Sequence, residues 1–146
     1  MNRCNGVIFT VLLVLLLAAC STKIDSKHQA TLYEQLGAHQ GMERLVNTVI
    51  KKIAKDEQIF PYFAKASVSH FKQGFMSHLC QTTGGPCQYT GDTMVDIHTG
   101  MNINEADFNR VVELLIEAME EIDITYQTQN RVLAKLAPLR AQIIKI

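Results

Sequence analysis

The chain has no excess of charge of either sign. Its 146 residues include 14 lysines and arginines and 14 aspartates and glutamates. No stripe of basic side chains interleaved with aromatic ones runs along it. Because nucleic acid is bound through a basic surface, we do not expect nucleic acid as a partner. Internal repeats and low-complexity tracts are also missing. With 146 residues, the chain is long enough for one folded domain and too short for a second.

Alternation of apolar and polar residues, which is typical of strands, does not occur over any useful length. Instead, apolar residues recur at three- and four-residue spacing from Leu45 to Ile53, from Val111 to Met119 and from Val132 to Ile144. This spacing predicts amphipathic helices. Asn104 is the expected N-cap of the second helix, and Pro138 should kink the third or remove one of its backbone hydrogen bonds. The fold class is therefore predicted to be all-α.

Glycine and proline are few, and they mark the expected breaks between helices. Gly37 and Gly41 are expected in an early turn. Pro61 is expected to end the second helix of the domain. Gly84 and Gly91 are expected to leave a loose connection further along.

A run long enough to span a membrane is missing as well. The apolar stretch from Val7 to Leu17, interrupted only by Thr10, is shorter than the roughly twenty residues of a transmembrane helix. It follows Arg3 and ends in Leu-Ala-Ala-Cys20, which is typical of a bacterial lipoprotein signal. In such signals the cysteine thiol takes a diacylglyceryl group before cleavage. An ordinary secretory signal is the alternative.

Residues 1–19 are accordingly predicted to be a signal peptide, residues 20–31 a lipidated cysteine with a flexible tether, and residues 32–146 the folded domain. Acyl chains on Cys20 would hold the domain at a membrane, at about 0.8 kcal/mol per buried methylene. With Ser21 rather than aspartate next, the sorting pattern of Gram-negative bacteria favours the outer membrane. The expected location is its periplasmic face.

Cysteine is scarce in the predicted domain. Cys4 leaves with the signal and Cys20 is the lipidation site, so Cys80 and Cys87 are the remaining pair. Two cysteines in an oxidising compartment suggest a disulfide. A redox-active pair is a second interpretation. Zinc ligation is a third, although no second pair or nearby Cys-His spacing supports it.

The stretch from Gly84 to Ile103 carries the most specific pattern of the chain. It resembles the group I truncated haemoglobins in several positions held in register. These positions are Gly84-Gly85-Pro86, Tyr89-Thr90-Gly91, Met94, His98, Gly100 and Ile103. The resemblance extends from Leu32-Tyr33-Glu34-Gln35-Leu36-Gly37 to Leu136-Ala137-Pro138-Leu139-Arg140. It implies a two-over-two helical sandwich enclosing haem b, with His98 as the proximal ligand of the iron.

The resemblance also implies which other side chains would contact the haem. Phe63, at the end of Ile59-Phe60-Pro61-Tyr62-Phe63, would stack on it. Lys72 would lie near the propionates. The full set of expected cofactor contacts is Phe63, Phe71, Lys72, Phe75, Met94, Met101, Ile103 and Phe108.

The ligand side departs from the family pattern. The two helix positions that often carry ligand-binding polar groups in the family align with Phe71 and Phe75, and the family's Phe-Tyr pair aligns with Val49 and Ile50. None of these four side chains can donate a hydrogen bond. The resemblance therefore implies an apolar distal pocket. His70 and His78 could supply a nitrogen if the helix shifted, but surface positions are expected for both.

These residues imply a haem protein that reversibly binds oxygen or another diatomic gas, carbon monoxide or nitric oxide, at one iron of the pentacoordinate type. A non-enzymatic role is favoured. One alternative is a haem enzyme, a nitric oxide dioxygenase or peroxidase-like protein, fed by an unidentified periplasmic electron donor. The other is a lipoprotein adaptor that keeps the helices without haem.

Overall fold

A computed structural model describes residues 29–146, and every described element is helical. The predicted signal peptide, the lipidation site Cys20 and most of the predicted tether lie outside the described residues. The helices are α1 (Leu32–Gln35), α2 (Ala38–Ile53), α3 (Phe60–Phe63), α4 (Val68–Thr82), α5 (Met94–His98), α6 (Glu105–Glu121), α7 (Tyr126–Leu136) and a final 3-10 helix (Ala137–Gln142). The predicted all-α class is confirmed.

Polar side chains fix where the helices begin. Thr31 and Glu34 form a capping box at α1, with the backbone N–H of Thr31 donating to Glu34 Oε2 over 2.7 Å. Asn104 caps α6 as predicted, since its Oδ1 accepts from the backbone N–H groups of Ala106 and Asp107. Such caps satisfy the N–H groups that the first helical turn leaves without partners.

The longest helix, α6, and the next two, α2 and α4, pack together at the centre of the fold. α2 packs against both α4 and α6, and α6 also contacts α7. Short α1 lies on α2 and α7, and α5 lies on the final 3-10 helix. The side chains that fill the centre with almost no exposure include Leu45, Val46, Leu79, Leu114, Met119 and Val132. Because α2 is the shared partner of α4 and α6, it sets how those two helices are placed relative to each other.

Two of the expected breaks are wrong in detail. Gly41 lies inside α2, where a Cβ would collide with the backbone oxygen of Leu36. The early turn is made by Leu36 and Gly37, whose φ of 87° favours glycine. Pro61 does not end the second helix, because α2 already ends at Ile53. It lies in the first turn of α3, where its missing N–H removes no helical hydrogen bond.

Pro138 divides the last predicted helix as expected. α7 ends at Leu136, and the chain continues as a 3-10 helix that has Pro138 in its first turn. Beyond it, the backbone N–H of Lys145 donates to the oxygen of Ile103 over 2.9 Å. The end of the chain is thereby tied to the segment that follows α5.

Candidate functional site

His98 is the last residue of α5 and is half-buried. Its Nδ1 lies 2.7 Å from the backbone oxygen of Met94, one turn earlier. Because a carbonyl oxygen can only accept, Nδ1 must carry the hydrogen in this contact. Nε2 of the neutral ring then keeps its lone pair. An imidazole oriented by a backbone carbonyl in this way is prepared to ligate a metal.

The ends of α5 hold this ring in place. Thr93 caps the helix by accepting from the backbone N–H of Asp96 over 3.1 Å. After His98 the chain leaves the helix, and Gly100 has a φ of 81° that favours glycine. The N–H of Gly100 donates to the oxygen of Ile146 over 3.1 Å. The histidine therefore sits on a short helix whose beginning and end are both fixed.

Three aromatic rings line α4 and the segment before it. The rings of Phe63 and Phe71 lie edge to face, with centroids 4.8 Å apart, and those of Phe71 and Phe75 stack at 5.7 Å. All three remain half-buried in the folded chain. A cluster of rings that the fold only partly covers offers an apolar surface for a flat, apolar group.

The remaining expected pocket residues fall into two groups. Ile50 joins Phe63 and Phe71 around a small apolar cavity of about 60 Å³, whereas Val49 is buried in the core at 2% exposure. On the other side, Met94 begins α5 and Met101 follows it, and both are half-buried. The other expected contacts are buried Ile103 and half-buried Phe108, whose ring centroid lies 5.9 Å from the guanidinium of Arg140.

Lys72 has a partner of its own. Its Nζ donates to Glu43 Oε1 of α2 over 2.7 Å, and this contact holds the pKa of the Glu43 carboxyl below its usual value. The pair borders an open groove of about 460 Å³ against α1 and the start of α2, together with Tyr33 and His39. The expected contact of Lys72 with haem propionates stays a prediction.

Comparison with known proteins decides the family. The family model described as bacterial-like globin matches residues 31–145. The chain belongs to the bacterial-like globin family. It is 30% identical over 95 residues to the group 1 truncated haemoglobin of Tetrahymena pyriformis, covering 65% of this chain and 78% of the relative. It is 27% identical over 114 residues to that of Mycolicibacterium paratuberculosis, covering 78% and 84% of the two chains.

A solved structure supports the same assignment. The truncated haemoglobin of Tetrahymena pyriformis in its Fe(III) form matches with a TM-score of 0.76 at 27% identity, covering 79% of this globin and 98% of that chain. The predicted two-over-two truncated globin fold is confirmed. Membership of the globin family implies a haem cofactor. The donor set fits this group, because His98 offers a ring nitrogen and Phe63, Phe71 and Phe75 offer apolar rings.

The two histidines of α4 have different surroundings in this globin. His70 is exposed, so the expected surface position is confirmed. For His78 that expectation is wrong, because the side chain is half-buried and its ring lies edge to face with Tyr89 at a centroid distance of 5.2 Å. Burial lowers the pKa of His78 below the usual histidine value. The neighbouring residue Leu79 is fully buried in the core, which places His78 at the edge of the buried side of α4.

A hydrogen-bonded network beside Phe63 was not predicted. The Tyr62 hydroxyl donates to Asp107 Oδ2 over 2.6 Å, and Gln58 Nε2 donates to Oδ1 over 3.0 Å. Nearby, Arg110 Nε donates to Asp56 Oδ2 over 2.7 Å. The spacing of Asn104 and Asp107 at the start of α6 was a usable signal for a capping box. Nothing local in the sequence pairs Asp107 with residues of the α3 segment.

The two remaining cysteines are bonded in this globin. A disulfide joins Cys80 to Cys87, with the Cα atoms 5.7 Å apart. The N–H of Gly85 donates to the oxygen of Cys80, and the N–H of Tyr89 donates to Gln81 Oε1 over 2.6 Å. These contacts fold the segment after α4 back along the end of that helix. A bonded pair has no thiolates to offer zinc.

Proposed function

We propose that this globin holds haem b with His98 as the proximal ligand and reversibly binds a diatomic gas at the iron. The contact between His98 Nδ1 and the Met94 oxygen is the observation that carries the proposal, because it leaves Nε2 available to the iron. The haem would supply the iron that takes up oxygen, carbon monoxide or nitric oxide. Phe63, Phe71 and Phe75 would cover the porphyrin and exclude water. Because His98 would be the one protein ligand, the iron in the absence of gas is proposed to be pentacoordinate.

The ligand side sets which gases are held well. At the positions where the family carries hydrogen-bond donors, this chain has Ile50, Phe71 and Phe75. A donor to a charged acceptor contributes about 1.5–3 kcal/mol, and bound oxygen carries negative charge. Without a donor at these three positions, oxygen should dissociate faster and the iron should oxidise more readily, unless a side chain elsewhere on the ligand side donates in their place. Carbon monoxide and nitric oxide depend less on donation and should lose less affinity.

This chemistry favours gas binding over catalysis. Cleavage of a peroxide bond requires proton transfer from a positioned acid or base. Ile50, Phe71 and Phe75 have no group that can transfer a proton. These three positions therefore give no support to a peroxidase-like role, and a nitric oxide dioxygenase would in addition need a reductant.

A test of the haem site compares matched histidine variants. The chain from Ser21 onward would be mixed with haemin, and the visible spectra of the ferric, ferrous and carbonmonoxy forms recorded. We expect one haem per chain and a sharp ferrous-carbonmonoxy band that His98→Ala weakens or shifts. His70→Ala is the control, because that side chain is exposed. The proposal would be contradicted if the folded protein took up no haem, or if the spectra of His98→Ala equalled those of the wild type. The adaptor hypothesis would then replace it.

We further propose that Cys20 anchors this globin to the periplasmic face of the outer membrane. The support is the Leu-Ala-Ala-Cys20 pattern and the Cys80–Cys87 disulfide, which suits an oxidising compartment. Between residues 29 and 146, no helix has the length and apolar character to cross a bilayer. Cells fed labelled palmitate should incorporate it into the wild-type chain and the Cys4→Ala variant. Label retained in a Cys20→Ala variant would contradict the anchor.

A further inference from the structure

His78 lies on the same side of α4 as the two distal phenylalanines. It follows Phe75 by three residues and Phe71 by seven, and side chains at these spacings share one helical face. The next residue, Leu79, points into the core and is fully buried. Phe71, Phe75 and His78 are instead half-buried. The surface that the two phenylalanines would present to the haem therefore continues into an imidazole.

The His78 ring has no polar partner among residues 29–146. It packs edge to face against the ring of Tyr89, with an angle of 85° between the two ring planes. The Tyr89 hydroxyl is itself engaged, since it donates to the backbone oxygen of Asp92 over 2.8 Å. A partly buried polar group without a hydrogen bond is unfavourable unless a ligand or water supplies one. Burial lowers the pKa of His78, so the neutral ring has one N–H to give and one lone pair.

The helix leaves room for this ring to move. Gly74 precedes His78 by one turn, and a Cβ built on Gly74 would meet nothing within 4 Å. Helical side chains lean toward the N-terminus of their helix, which for His78 is the direction of Gly74 and Phe75. No contact at Gly74 therefore blocks the imidazole if the His78 side chain rotates toward Phe75.

We propose that His78 is the polar group of the ligand side of the haem cleft, and that its imidazole N–H donates a hydrogen bond to a gas molecule bound at the haem. This inference rests on the proposed haem site. It assigns the donor role to a position other than the ones that Ile50, Phe71 and Phe75 occupy. Such a bond to a charged acceptor should slow oxygen dissociation about tenfold or more.

The test uses the full-length chain, purified in detergent and loaded with haem. The C–O stretching frequency of the ferrous carbonmonoxy form would be measured by infrared spectroscopy, since a donor to the bound ligand lowers it. His78→Leu should raise the frequency and speed oxygen dissociation about tenfold. His78→Gln keeps an N–H donor and should hold both values near the wild type. His70→Leu removes the exposed histidine of the same helix and should change neither.

The outcomes separate this inference from the haem site itself. An unchanged frequency in His78→Leu, in protein whose spectrum still depends on His98, would contradict the role of His78 alone. Equal shifts in the leucine and glutamine variants would indicate a packing role against Tyr89 and would also contradict it. No specific haem uptake by the wild-type chain would overturn both proposals. If the leucine variant does not fold, His78→Phe, which keeps an aromatic ring against Tyr89, gives the same comparison.

Discussion

The phenol oxygen of Tyr62 lies 2.6 Å from Oδ2 of Asp107, across 45 positions of sequence. Tyr62 belongs to the short helix α3 and immediately precedes Phe63, whereas Asp107 lies in the first turn of α6. Asp107 is buried, with 7% of its surface exposed. The bond therefore fixes the residue next to Phe63 to a long core helix, and through it the position of the Phe63 ring against Phe71.

Tyr62→Phe is expected to lower the free energy of unfolding by about 1–2 kcal/mol, because a buried carboxylate loses a donor. The same variant should release haem faster, since Phe63 loses its anchor. Urea unfolding and transfer of haem to a scavenger protein measure the two effects. Tyr126→Phe is the matched control, because Tyr126 is 77% exposed. Equal stability in the two variants would show that the bond to Asp107 does not contribute.

Asp107 and Asp56 should make the fold sensitive to acid. Hydrogen bonds from Tyr62 to Asp107 and from Arg110 to Asp56 hold the pKa of each carboxyl below the usual aspartate value of 3.8. A carboxyl whose pKa is lower in the folded state stabilises the fold fully above its unfolded pKa, and this contribution is lost as the pH falls through the folded pKa. The free energy of unfolding should therefore fall below about pH 4.

Urea titrations at a series of pH values measure that loss. In Asp107→Asn the decline should be shallower, because the amide does not titrate, while the stability near neutral pH should be lower. A decline as steep as that of the wild type would assign the acid sensitivity to other groups.

Replacement of glycine by alanine should change the stability of the fold in opposite directions at two helical positions, Gly41 and Gly74. In Gly41→Ala the new methyl group would collide with the backbone oxygen of Leu36, so the α1–α2 turn must shift. A loss of more than about 2 kcal/mol is expected. In Gly74→Ala the methyl group meets nothing within 4 Å, and the better helix propensity of alanine should add about 0.5–1 kcal/mol. Thermal unfolding of the two variants checks both signs.

Loss of the Cys80–Cys87 disulfide should destabilise the folded chain by about 2 kcal/mol, the chain-entropy value for a short loop. Unfolding with and without dithiothreitol measures this, with a Cys80→Ala/Cys87→Ser double variant as the control that the reductant should not affect. A reductant effect of the same size on the double variant would show that the loss comes from elsewhere.

Phe75→Gln should restore a donor at a position where the family often has one. Oxygen dissociation from the haem-loaded variant is expected to slow about tenfold or more, with little change for carbon monoxide. Stopped-flow displacement measures both rates, and Phe75→Leu is the apolar control. A rate unchanged in the glutamine variant would mean that Phe75 does not face the ligand.

The sequence predicted the parts of this structure that depend on neighbouring residues. Helical periodicity located α2 and α6, and the N-cap role of Asn104 followed from residue type alone. The third predicted helix, residues 132–144, overlaps only the last part of α7 and continues into the 3-10 helix. Gly41 was misplaced, because its close approach to the Leu36 oxygen depends on how two helices meet. Leu79 and His78 are neighbours in sequence. Which of the two faces the core depends on how α4 packs against α2, and the sequence does not show that packing.

The bond between Tyr62 and Asp107 could not be predicted for a related reason. A tyrosine and an aspartate far apart in sequence carry no local pattern that pairs them. Their meeting depends on the path of the chain between α2 and α4, which is set by the packing of the whole core. His98 could be singled out from sequence only through the family resemblance, since a lone histidine has no distinguishing spacing.

The disulfide also affects the order in which the protein can assemble. The segment between α4, with its phenylalanines, and α5, with His98, runs through residues 83–93. A bond from Cys80 to Cys87 bypasses residues 81–86, so the effective chain length that separates the two helices becomes shorter. Bringing the ends of a shorter loop together costs less conformational entropy. Formation of the disulfide before haem uptake would therefore keep α4 and α5 close together before the haem binds. The oxidised chain should consequently bind haem more readily than the reduced one.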